Sequence, residues 1–178
     1  MKSTVSRVAV LFAAVAATVL GAIPAASAAP APDQPTMQLS ATTADPEGVR
    51  FVPGKGQAVP PKITGWDVPN ARQYYLEASC NQWAGEIRQG AAAWNQLSEG
   101  GGTPVGCQTS YITDCGGTGA IIGCNYGAGG RITLVPTATG QVALLAAHEF
   151  GHDWYGHSGD GCANWNSPAD VMRTTICG

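Results

Sequence analysis

The chain has 178 residues, 44% hydrophobic and 12% charged, with a formal net charge of −3. That excludes a disordered polyelectrolyte, which combines few apolar residues with a strong charge imbalance. No run of Lys and Arg supplies the electrostatic footprint that phosphate neutralisation requires, so no nucleic acid is expected as a partner.

Residues 1–28 open with Lys2 and Arg7, continue through an apolar stretch from Val8 to Ile23, and close on Ala26-Ser27-Ala28, the small-x-small pattern of a cleavage site. This predicts a secretory signal peptide. The apolar run falls short of the roughly 20 residues that span a bilayer, so the expected product is extracellular, with no membrane partner. About 150 residues remain, enough for one domain, with a monomer as the default. Nine of the twelve prolines lie between residues 24 and 70. So proline-rich a stretch predicts neither a long helix nor a central strand, and residues 29–69 are expected to be a propeptide or a flexible leader. The folded domain is then expected over 70–178.

Six cysteines follow, at positions 80, 107, 115, 124, 162 and 177. An even count in a secreted chain, without a Cys-x-x-Cys clip, predicts three disulfides. Cys162 and Cys177 bracket a loop-rich tail and are the expected pair; the other four stay open.

The predicted elements run strand, helix, strands, helix, tail, an α+β order. Arg72–Ala78 is aromatic and aliphatic enough for a strand. Trp83, Ile87, Ala91, Trp94 and Leu97 lay an apolar stripe along a helix from about 81 to 97, which ends at Gly100-Gly101-Gly102. The stripe makes Trp83 and Trp94 core residues. Short strands are expected at 108–113, 120–125 and 131–135, between glycine-rich turns. A second helix should run from about Gly140 to Tyr155, capped by Thr139 and ended by Gly156, before an irregular tail. Trp154 and Trp165 flank its end and either line a substrate subsite or simply pack.

That helix carries His148-Glu149-Phe150-Gly151-His152, a match to H-E-x-x-H. Histidines four apart stand one turn above each other, so both imidazoles can reach one metal. Glu149, beside the first, can then take a proton from metal-activated water. All three histidines of the chain lie between 148 and 157. Residues 141–147 are nearly all apolar, so the helix should be buried, and buried imidazoles are costly without a partner such as a metal. Zinc (Zn2+) suits two neutral imidazoles, one further ligand and an open position. The acidic loop residues could take calcium (Ca2+), although none falls at EF-hand spacing.

The string Ala147-His148-Glu149-Phe150-Gly151-His152, with Gly90-Ala91-Ala92-Ala93-Trp94-Asn95 upstream and Ala169-Asp170-Val171-Met172 downstream, resembles the snapalysin family. These are small secreted neutral metalloproteases of the metzincin clan, and the resemblance spans about residues 74–178. It implies a metzincin-like α+β fold, with a small mixed sheet, two main helices and an irregular disulfide-bridged tail. It also implies a zinc endopeptidase acting on proteins or peptides, made with a propeptide. A Met-turn under the metal would come from Met172. The Cys162–Cys177 disulfide would enclose it. The family's extended motif places Gly three and Asp six residues after the second histidine, where this chain has Tyr155 and Ser158. Asp160, between two glycines, is therefore the expected third ligand beside His148 and His152, with His157 and Asp170 as alternatives. Asp153, next to His152, should point about 100° away and face solvent. Two other functions remain open: a secreted binding module that has lost activity, and a zinc hydrolase of another amide such as cell-wall peptide.

Overall fold

The computed structural model describes residues 47–52, 65–116 and 119–178. The expected signal peptide and most of the expected leader lie outside them. An eight-stranded mixed sheet carries the chain, with strands β1 (Glu47–Val52), β2 (Arg72–Leu76), β3 (Leu97–Glu99), β4 (Thr103–Cys107), β5 (Ile121–Asn125), β6 (Ile132–Leu134), β7 (Gly159–Cys162) and β8 (Arg173–Cys177). Their spatial order is β3-β2-β4-β6-β5-β1-β8-β7. Strands β2, β3, β4 and β6 pair in parallel, β5 runs antiparallel to both β6 and β1, and β8 is parallel to β1 and β7. Helices α1 (Ala84–Ala91), α2 (Val142–Gly151) and the one-turn α3 (Pro168–Val171) complete an α+β fold.

Sequence periodicity located β2, β5, β6 and α2 to within a few residues, and tertiary contacts decided the rest. The apolar stripe of the first helix is real, with Ile87, Ala91 and Trp94 buried. The helix itself is shorter than expected. A 3-10 turn over Ala78–Trp83 precedes it, and the chain leaves α-helix after Ala91. There the Trp94 indole donates to the Ala147 carbonyl at 2.8 Å, tying the following turn to α2, and Leu97 enters the sheet. Gly90 makes this packing possible, because a Cβ there would collide with the Ala143 carbonyl and stand 2.8 Å from the Ala146 methyl.

The strand expected at 108–113 lies earlier, over Thr103–Cys107. Pro104 is tolerated because it precedes the start of the β6 pairing at Val105. Ile112 makes only an isolated bridge to Ile121. The tail after Gly156 is not irregular but contributes β7, α3 and β8, whose partners are too distant in sequence for a local pattern to reveal. Strand β1 is the larger correction. It lies inside the expected leader and occupies a central place between β5 and β8, with Val49 fully buried. Pro46 and Pro53 bracket this proline-free stretch without interrupting it, so the proline content of the region did not forbid a strand.

Three disulfides join Cys80–Cys107, Cys115–Cys124 and Cys162–Cys177, the last as expected, and they suggest an oxidising setting. Among the described residues, no helix is long and apolar enough to cross a membrane.

Candidate metal centre

All ten residues of α2 are buried, as the run Val142-Ala143-Leu144-Leu145-Ala146-Ala147 dictates. His148, Glu149 and His152 therefore sit in the interior. A buried imidazole needs its ring nitrogens satisfied. His148 Nδ1 lies 2.7 Å from the Val171 carbonyl and His152 Nδ1 3.0 Å from the Tyr155 carbonyl. A carbonyl only accepts, so each Nδ1 carries the proton and each Nε2 presents its lone pair.

Those lone pairs converge. His148 Nε2 is 3.1 Å from His152 Nε2 and 3.2 Å from His157 Nε2. Two neutral imidazoles with protonated Nδ1 cannot donate to each other through Nε2, and a cation held between them would account for the close approach. Tetrahedral ligands with bonds of about 2.0–2.1 Å stand about 3.3–3.4 Å apart, close to the spacing seen. The ligand atoms of His148, His152 and His157 all lie within 4.8 Å of one another, and the group could hold a metal ion. Burial and the two neighbouring imidazoles also hold His148 well below its ordinary pKa, in the neutral form that a metal requires.

The third member of the cluster is thus His157, and Asp160, expected in that role, is not brought to it. Asp160 is exposed on β7, where its carbonyl accepts from Arg173. The chain after Gly156 turns back at once. Ser158 donates from its backbone to the Met172 carbonyl and from its hydroxyl to that of Ala169, which fixes His157 over α2. Asp170 is engaged elsewhere: it accepts from Ser167 at 2.7 Å and Arg173 at 2.9 Å, which hold its carboxyl below the usual range. Met172 is fully buried with Sδ against Gly151, where any Cβ would collide with it. It thus lies against the C-terminal end of α2.

Asp153 departs from expectation, since it is 1% exposed. It follows the C-cap His152, where the helix has already unwound, so helical periodicity no longer sets its direction. It turns toward β5, and Asn125 Nδ2 donates both to Asp153 Oδ1 at 3.1 Å and to the Glu149 carbonyl at 2.9 Å. Burial raises the Asp153 pKa. Gly123 on the same strand gives the Glu149 carboxylate its room, because a Cβ there would collide with Glu149 Oε1. Neither Gly123 nor Asn125 stands out in the sequence; only the placement of β5 beside α2 reveals them. Trp154 and Trp165 are both buried, and the Trp154 indole donates to the Asn70 carbonyl at 3.1 Å, so they pack rather than line an open subsite.

The α+β fold and this three-histidine centre define the protein as far as its geometry reaches. Compared with protein-family models, curated proteins and solved structures, the chain matches none.

Proposed function

We propose that the chain is a secreted zinc-dependent endopeptidase that hydrolyses peptide bonds with Glu149 as general base. One observation carries this reading: three imidazole Nε2 atoms meet at one point, and the residue next to the first of them is a carboxylate. A set of three imidazoles favours zinc among the common metals. His148, His152 and His157 would hold the zinc, which would supply Lewis acidity toward water and the substrate carbonyl.

The chain's own residues do the rest. The Val171 and Tyr155 carbonyls hold the imidazoles in the metal-binding tautomer. The Glu149 carboxylate accepts the proton of the attacking water and returns it to the departing amine nitrogen. Asn125 fixes the backbone at Glu149, and Gly123 leaves space for the carboxylate. The signal-like residues 1–28 and the three disulfides support secretion. The resemblance to snapalysins supports peptides and proteins as substrates.

Elemental analysis of the processed protein, together with casein hydrolysis with and without o-phenanthroline, tests the reading. About one zinc per chain and chelator-sensitive cleavage are expected. Zinc without casein cleavage would move the assignment to hydrolysis of another amide, and absence of zinc from folded protein would overturn it.

A further inference from the structure

Between His152 and His157 the chain carries Asp153-Trp154-Tyr155-Gly156, with Tyr155 where the extended motif of the family it resembles has glycine. This short link leads the backbone from the second imidazole of the cluster to the third. Its main chain is tied at the start, where Asp153 donates to the Phe150 carbonyl and both Trp154 and Tyr155 donate to that of Gly151. Its side chains are tied by a segment from far upstream, residues 65–70. The Trp154 indole donates to Asn70, 3.1 Å from the carbonyl and 3.3 Å from Oδ1. The Tyr155 hydroxyl reaches the Asp67 carbonyl at 3.5 Å.

Residues 65–70 are anchored in turn to the segment after α1. The Trp66 N–H donates to the Ala93 carbonyl at 2.6 Å, and its carbonyl accepts from the Asn95 N–H at 2.7 Å, a parallel bridge alongside Trp94. Asn95 Nδ2 adds a bond to Asp67 Oδ1 at 2.8 Å, and Val68 is buried. Gly65 permits the approach, because its φ is +70° and a Cβ there would collide with Asn95 Oδ1. Trp94 is the hub. Its ring centroid lies 5.5 Å from Trp66, 6.0 Å from Trp154 and 5.8 Å from Tyr155, all in tilted contact. The same indole holds the carbonyl of Ala147, the residue before His148. Interlocked rings in such contacts restrict one another's positions.

We infer that residues 65–70 are a positioning strap of the metal centre: by gripping Trp154 and Tyr155 they hold the link between the second and third imidazoles, and so set the affinity for the metal. The Tyr155 carbonyl stands 3.0 Å from His152 Nδ1, which keeps the ring proton there and leaves Nε2 for a metal. His157 follows two residues later, so a displaced Tyr155 moves the partner of one ligand and the backbone of the other. The metal-binding unit therefore includes residues 65–70, which proline content alone groups with a leader. The inference rests on the metal-binding part of the peptidase reading, and not on peptide hydrolysis.

The test compares the full chain with Trp66→Ala, Trp154→Phe and, as a control for stability alone, Val105→Ala at a fully buried position of β4. Zinc affinity is read by competition with a chromogenic chelator. The His152 tautomer is read in metal-free protein by nitrogen–proton NMR correlation of the ring, and the unaltered chain should show a single form protonated on Nδ1. Trp66→Ala should weaken zinc binding about tenfold, the lower end of what loss of an outer hydrogen-bond partner costs. Trp154→Phe keeps a ring and removes one bond to Asn70, so about threefold is expected, the scale of a single hydrogen bond. Both should show mixed His152 tautomers, and Trp154→Phe decides the matter if Trp66→Ala does not fold. Val105→Ala should melt lower with zinc affinity unchanged. Unchanged zinc affinity in either folded strap variant overturns the inference, as does an equal loss in Val105→Ala, because the strap would then serve only general stability. If the unaltered chain binds no zinc, strap variants that still release the His152 tautomer uphold the strap and remove the peptidase reading, and variants that do not release it overturn both.

Discussion

The two main helices treat their polar residues in opposite ways. In α1 only Ile87, Gly90 and Ala91 are buried, and Glu86, Arg88 and Gln89 face water. In α2 every residue is buried, His148 and Glu149 completely. Polar side chains on α1 need no further account, since solvent satisfies them. Those on α2 pay desolvation and are retained only because specific partners receive them: the Val171 and Tyr155 carbonyls, the second and third imidazoles, and the space above Gly123. Such concentration of buried, positioned polar groups on one helix of an otherwise apolar core is what sets α2 apart from α1.

The sharpest way to break this contrast is at Glu149. Glu149→Gln keeps the shape and removes the base, so peptide hydrolysis should fall on the order of 10²–10⁴-fold with zinc still bound. Activity that survives would remove Glu149 from the mechanism. The metal ligands come next. His157→Ala should weaken zinc binding by more than the roughly 10–100-fold that loss of an outer hydrogen-bond partner costs, whereas Asp160→Ala should leave it unchanged. Competition with a chromogenic chelator reads both, and the opposite ranking would restore Asp160 as ligand.

Gly123→Ala sharpens the packing side of the comparison. The new methyl would meet Glu149 Oε1 and stand 2.7 Å from a Leu145 methyl, an overpacking cost of about 1–3 kcal/mol. Denaturant unfolding should show that loss together with lower activity; an unchanged protein would mean that Glu149 does not depend on this contact.

Acid should separate the helices as well. With the folded His148 pKa pushed down by burial, the unfolded chain takes up a proton near 6.5 while the folded one does not. The metal-free protein therefore keeps its full stability above about pH 6.5 and loses it as pH falls toward the folded value, by up to about 1.4 kcal/mol per unit. Thermal melts of metal-free protein at pH 7.5 and 5.5 check this, and a His148→Gln chain should lose most of the difference. The smallest effect belongs to α1. Arg88 and Glu99 form an exposed pair at 2.6 Å, and Arg88→Ala should leave Tm within measurement error.

Much of the centre was legible before any fold was known. The motif's four-residue spacing puts two imidazoles on one helix face whatever surrounds it, and the apolar run before it already predicts burial. His157 was among the candidates, yet no local pattern ranks it above Asp160. The choice depends on a turn fixed by contacts of Ser158 with residues 169 and 172. Asp153 was misread because helical periodicity was carried past the helix end, where Asn125 takes over. The missed strand β1 has the same cause, since composition describes a region as a whole and pairing selects six residues within it.

By itself the sequence determined what neighbours along the chain can determine: the α+β order of elements, the apolar faces of both helices, an even set of cysteines, and a histidine pair able to share a metal with a carboxylate beside it. Tertiary structure alone decided the third histidine, the disulfide partners of the first four cysteines, the clamp of Asn125 and the central place of β1. The physical reason is range. Periodicity and spacing act over one or two turns of chain, whereas each of these choices is made by a contact between segments that meet only when the sheet is assembled.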